Sequence, residues 1–243
     1  MNLSRLFKKC VFAKYTTIES TKCDYCIEQH GDRLFLLLQG SVQEEDWRTN
    51  FDFAVKPYHD MENTWKAHRG FVRNWKSLLP YIQQYLLDPS IKTITVIGYS
   101  HGAALACLAQ EYIWFNRPDI RDNCYSFAFE PPRVFNGVSI SENLKERWDN
   151  LFIFRNGKDI VTHLPPKLFG FKHVGHMIEI GQARDNVTKG DYNYLPKCVV
   201  EHFYANVVKS LEIYENVILS TYIDELESDI EKKLVNTLVK ITD

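Results

Sequence analysis

Gly98-Tyr99-Ser100-His101-Gly102 sets one serine hydroxyl between two glycines. Residues 91–97 before it have the β-branched density of a buried strand, and the alanine-rich residues 103–109 after it favour a helix. A strand entering a sharp turn and leaving as a helix lifts the serine Oγ out of the backbone as a nucleophile. Gly98 and Gly102 stand where the chain approaches itself, and a Cβ at either would clash. The N-terminus of the following helix faces the serine and favours a developing anion there. The plainer reading is an ordinary strand–turn–helix connection with a structural serine.

A serine nucleophile needs a base, and the base an orienting carboxylate. In α/β-hydrolases the order along the chain is serine, acid, histidine. Asp159 directly follows the strand expected at 151–154, at the carboxyl end where a parallel sheet carries its catalytic loops. Asp149 precedes that strand and falls at the wrong end. Asp185 and Asp191, in a polar loop, stay as weaker rivals. Four histidines follow Asp159: His163, His173, His176 and His202. His163 is too near in sequence to fold back across the site, and His173 and His176 flank a strand start. His202 lies after a loop at the start of a helical segment, which lets that loop carry the imidazole to the serine. The first oxyanion donor is the backbone N–H of His101. The second falls in the loop after an earlier central strand, where Gly40 permits a tight turn and Ser41 offers its N–H, its hydroxyl or both.

The elements that must position these groups alternate strand and helix. Cys23 to Gln29 and Arg33 to Gln39 read as strands around a turn at His30-Gly31-Asp32. Trp65 to Leu87 reads as one long amphipathic helix that Pro80 kinks or splits. Further strands are expected at Cys124 to Phe129, Leu151 to Phe154 and Val174 to Ile180. The alternation predicts an α/β fold, with a central, mainly parallel sheet and helices on both faces. Leu3, Leu6, Phe7, Cys10 and Val11 share one helical face, which packs on the sheet or attaches to a membrane surface. From Glu201 onward the chain reads as helical. Ile218, Tyr222, Leu226, Ile230, Leu234 and Leu238 form a stripe that either packs on the domain or makes a homodimer helix. Residues 1–243 are expected to form a single domain, with 206–243 a helical C-terminal extension.

The 243 residues, 45% hydrophobic and 25% charged, suffice for one sizeable core. A net charge of −2 gives no general pull toward nucleic acid. Six scattered cysteines do not make a secreted disulfide framework, and Cys23 with Cys26, lacking a second pair, reads as two structural thiols rather than a zinc site. Lys8, Lys9 and Lys14 interrupt any long apolar stretch at the N-terminus, so a cytoplasmic location is expected.

With these residues placed, the chain resembles the class 3 lipases, the fungal-type triacylglycerol lipase family, from about Asp32 to about Tyr204. Gln39-Gly40-Ser41 followed by Asp46-Trp47 is similar to the family's R-G-(S/T)…D-W segment, and His68-Arg69-Gly70-Phe71 to its H-x-G-F. Gly98 to Gly102 is the elbow. Pro131-Pro132-Arg133-Val134 with Asn136 resembles G-x-P-R-V-G-N. Residues 159–166 resemble D-I-V-P-x-(L/V)-P-P, and His202 aligns with the histidine that closes the triad. The resemblance implies Ser100 as nucleophile, Asp159 as orienting acid and His202 as base. It implies Ser41 and His101 as the oxyanion hole, and Val42 to Trp47 as a lid or its remnant. Gln43, Glu44, Glu45 and Asp46 make that segment acidic where the family has a short amphipathic lid. Gln39 replaces the usual arginine. Glu130 and Pro131 stand where the family has small residues before Pro-Arg-Val.

The function expected is hydrolysis of carboxylic esters of acyl lipids, with no metal or organic cofactor and with contact to a lipid interface. Rival readings within enzymes are a phospholipase A1 or lysophospholipase and a short-chain esterase. The rival of another class is a non-catalytic lipid- or partner-binding protein on the same fold.

Overall fold

A computed structural model of the chain describes residues 2–39, 55–57, 66–137, 145–181, 196–220, 226 and 228–241. Among them, seven strands form the main sheet. These are β1 (Thr16–Ile18), β2 (Cys23–His30), β3 (Arg33–Gln39), β6 (Thr93–Tyr99), β7 (Cys124–Phe129), β9 (Leu151–Arg155) and β11 (His176–Glu179), in spatial order β1-β2-β3-β6-β7-β9-β11. The pairings of β2 with β1 and β3 are antiparallel, and every pairing from β3 to β11 is parallel. A small antiparallel sheet, β10-β8-β5-β4, joins β4 (Val55–Pro57), β5 (Lys66–His68), β8 (Phe135–Asn136) and β10 (Phe171–Lys172).

The register of the parallel strands aligns their carboxyl ends. Gln39 pairs with Tyr99, Tyr99 with Phe129, and Phe129 with Phe154. Ser100 and Glu130, the residues that follow Tyr99 and Phe129, therefore leave the sheet along one edge. The Ser100 N–H donates to the Phe129 carbonyl and the Glu130 N–H to the Phe154 carbonyl, both at 2.9 Å.

Alternation along the strands feeds two cores. On one face, Trp75, Leu78 and Ile82 of α2 (Arg69–Leu86) and the small residues of α3 (His101–Asn116) pack against Val96 and Ala128. On the other, Phe127, Phe129, Phe152 and Phe154 stack along the sheet and meet α1 (Leu3–Val11), α5 (Tyr204–Ser220) and α6 (Asp229–Lys240). Among the described residues a further, short α-helix is α4 (Lys197–Val200).

Several expectations need correction. Residues 66–68 are a strand and not helix, because Ala67 pairs with Phe135 and the His68 N–H bonds the Val134 carbonyl. Pro80 neither ends nor splits α2; it lies on the exposed side, where water can satisfy the carbonyl it leaves unpaired. The C-terminal region is two helices rather than one. Of its stripe, Tyr222 lies outside the described residues, and Ile218, Leu226, Leu234 and Leu238 are buried in the aromatic core. Leu3, Leu6, Phe7 and Cys10 of α1 are buried there as well, so that face is not free for a membrane. Cys23 and Cys26, three residues apart on β2, point into opposite cores and cannot share a metal ion. All six cysteines are free thiols.

Candidate active site

Ser100 occupies the turn between β6 and α3 with φ +56°, a left-handed conformation that a serine adopts only under constraint. The two glycines impose it. A Cβ on Gly98 would lie 2.3 Å from the Gly102 carbonyl oxygen, and one on Gly102 would lie 2.1 Å from the Leu38 carbonyl oxygen. The helix can therefore pack directly on the ends of β3 and β6. His101 is its first residue, so its N–H is among those with no acceptor inside the helix.

Ser100 Oγ lies 2.9 Å from His202 Nε2, and His202 Nδ1 lies 2.7 Å from Asp159 Oδ2. An ionised carboxylate only accepts, so Nδ1 carries the ring proton. Nε2 is then the lone pair that receives the serine O–H. Asp159 is wholly buried, and its other oxygen accepts the Val161 N–H at 2.9 Å. His202 is nearly buried and stacks on Tyr99, with ring centroids 5.4 Å apart; the Tyr99 hydroxyl donates to the His202 carbonyl. The stack and that bond fix the imidazole plane.

The Asp159 loop is tied to the His202 segment. Asn156 Nδ2 donates to the Glu201 carbonyl at 2.7 Å, the Lys158 N–H to Glu201 Oε2 at 2.9 Å, and the Ile160 N–H to the Cys198 carbonyl at 3.0 Å. Gly157, with φ +56°, leaves room for the Glu201 carboxylate, which a Cβ would approach to 2.7 Å. Arg133 closes the far side of the loop: its N–H donates to the Leu164 carbonyl at 2.7 Å and its guanidinium to the carbonyls of His163 and Pro165. Tyr99, Asn156, Glu201 and Arg133 had no site role in the sequence reading. Only Tyr99 and Arg133, lying inside recognisable motifs, carried any signal.

The rival groups are engaged elsewhere. His163 Nδ1 bonds the Asp159 carbonyl, His173 Nε2 bonds the Thr162 carbonyl, and His176 lies against Asp149 at the opposite end of the sheet. Asp185 and Asp191 lie outside the described residues, as do Ser41, Val42 and Trp47. Behind the elbow, His101 Nε2 lies 2.8 Å from Asn74 Nδ2, and His68 packs on Phe71. Burial lowers both imidazoles to about 4, with His68 adding to the effect on His101, so both are neutral supports.

The family model that matches residues 35–169, more than half of the chain, is lipase (class 3). The chain belongs to that family. It is 28% identical over 152 residues to a lipase of Rhizomucor miehei, covering 58% of this chain and 40% of that protein. It is 27% identical over 141 residues to a secreted mono- and diacylglycerol lipase of Fusarium solani, covering 56% of this chain and 40% of that protein. Lipase II of Rhizopus niveus superposes with a TM-score of 0.62 at 21% identity, over 78% of this chain and 77% of that one, which shows the shared α/β-hydrolase fold. The chain thus spans about 40% of the length of these two curated relatives. The expectation of a cytoplasmic location is overturned: relatives from Fusarium and Malassezia are named as secreted. The N-terminal lysines and scattered thiols were a weak basis for that expectation. Among the described residues no helix is long and apolar enough to cross a membrane.

Proposed function

We propose that this class 3 lipase family member is a serine carboxylic-ester hydrolase acting on acyl lipids. The observation that carries the reading is the unbroken chain from Ser100 Oγ through His202 to Asp159, with steps of 2.9 and 2.7 Å. Ser100 attacks the ester carbonyl as His202 Nε2 takes its proton. Asp159 holds the ring tautomer and stabilises the imidazolium that forms. The His101 N–H, with Ser41 as its expected partner, receives the oxyanion at the positive end of α3. His202 then returns the proton to the leaving alcohol, and water repeats the sequence on the acyl-enzyme to release the acid.

The acyl-lipid class is supported by the family and by apolar side chains left in solvent. Ile160, Leu168 and Phe169 are exposed on the connection that carries Asp159, as expected of a surface that meets lipid. Residues 1–243 are read as one domain of which α5 and α6 are an integral part.

The test is hydrolysis of p-nitrophenyl esters from acetate to palmitate, below and above substrate aggregation, by wild type and Ser100→Ala. Loss of activity in the variant with an unchanged melting temperature supports the hydrolase, and the chain-length profile separates lipase from short-chain esterase. A folded wild type inactive on these and on phospholipids is a binding protein.

A further inference from the structure

Glu130 leaves the same sheet edge as Ser100, one strand over. It stands at the position of the opening glycine in the family's G-x-P-R-V-G-N pattern and adopts φ +54°, a strained backbone for a glutamate. Its side chain is completely buried, and neither carboxyl oxygen makes a close, well-aligned hydrogen bond among the described residues. One of its oxygens, one Asp159 oxygen and one His202 ring nitrogen lie within 4.8 Å of one another. Two ionised carboxylates facing each other are both acceptors, with no donor between them; a proton on one supplies it. A cation in this trio would compete with the His202–Asp159 hydrogen bond for the same atoms, so a proton is the simpler occupant.

We propose that Glu130 is a positioning residue of the triad: a neutral carboxylic acid that donates its proton to the Asp159 carboxylate and holds that carboxylate toward His202. The inference deepens the hydrolase reading and rests on it for its kinetic consequence. Burial first, and the Asp159 charge second, push the Glu130 carboxyl well above the ordinary carboxylate range. The other groups bearing on it are the Asn156 backbone N–H, which opposes the shift, the Tyr99 phenol from β6, His202, and Glu179 from β11, which is itself paired with Arg155 at 2.6 Å. Asp159, whose oxygens accept from both His202 and Val161, keeps the charge, and Glu130, toward which only the Asn156 backbone N–H is favourably directed, keeps the proton.

The experiment compares wild type with Glu130→Gln and Glu130→Ala. Gln still donates but cannot ionise, so kcat stays within about threefold of wild type. Ala removes the donor and lowers kcat by about tenfold or more at little-changed KM, the loss of one charge-assisted hydrogen bond. The infrared difference spectrum, wild type minus Glu130→Gln at about pH 8, shows a carboxylic-acid C=O band that the variant lacks. The difference removes the background of Glu111, a second buried acid pushed up to about 7 and paired with Arg147. Because the folded state holds the Glu130 proton more tightly than the unfolded chain, wild-type stability is lost as pH rises above the ordinary glutamate value. Gln escapes that loss, so its melting-temperature advantage grows from about pH 5 to pH 8. If Gln fails to fold, Glu111→Gln keeps Glu130 as the buried acid, and the band must persist there. An absent band, a pH-independent advantage, or Gln as slow as Ala would overturn the proposal. The band and the melting curves decide it even if the wild type hydrolyses no ester.

Discussion

The two halves of the site are built in different ways. The half around Ser100 is made by backbone. Gly98 and Gly102 let α3 close onto the ends of β3 and β6, and Ser100 has its strained φ because nothing else fits. The half around Asp159 and His202 is made by side chains: the two, 43 residues apart, meet because Asn156, Glu201, Tyr99 and Arg133 tie two loops together. A backbone-built site fails all at once, with the fold. A site built from side chains loses position in increments while the fold persists.

The difference can be broken open by substitution. Asp159→Asn keeps the shape but no longer enforces the tautomer that leaves Nε2 free, so kcat should fall about 10⁴-fold with the melting temperature within a few degrees of wild type. Steady-state kinetics with calorimetry checks both halves of that expectation. Gly102→Val should cost about 3 kcal/mol or more and remove fold and activity together, because its Cβ would lie 2.1 Å from a backbone oxygen. Urea melts reveal this; a folded but inactive variant would contradict the backbone account. His68→Phe addresses the support behind the elbow. The His68 imidazole is lowered to about 4, below its unfolded value near 6.5, so the wild type loses stability as pH falls between those values. Phe should remove a share of that loss on the order of 2–3 kcal/mol, read from melts at about pH 7 and pH 4.5. Asn156→Ala is the mildest: losing its 2.7 Å bond to Glu201 should lower kcat about tenfold and stability by about 1 kcal/mol.

The same division explains what could be read from the sequence. The elbow was legible residue by residue, since two glycines at fixed spacing between a β-branched run and an alanine-rich run admit few backbones. β7 was legible to its ends, because a strand buried on both faces is a nearly continuous apolar run, broken here only by Ser126. Asp159 was favoured by its place after β9 and His202 by its place after a loop, but a lone histidine is most often structural, so His202 needed the family pattern to stand out. Glu130 was visible only as a departure from that pattern. Its burial beside Asp159 depends on the alignment of two strand ends, which no local sequence encodes. The strand at 66–68 was hidden inside a helical pattern because its partners, Phe135 and Val55, lie elsewhere in the chain.

The central claim is that His202 makes Ser100 a nucleophile. A fluorophosphonate probe tests it most directly: react wild type and His202→Ala, digest, and locate the adduct by mass spectrometry. The account predicts rapid labelling of Ser100 in the wild type and a loss of labelling rate of at least about a thousandfold in the variant. Labelling at another serine, or equal labelling of both proteins, would contradict it.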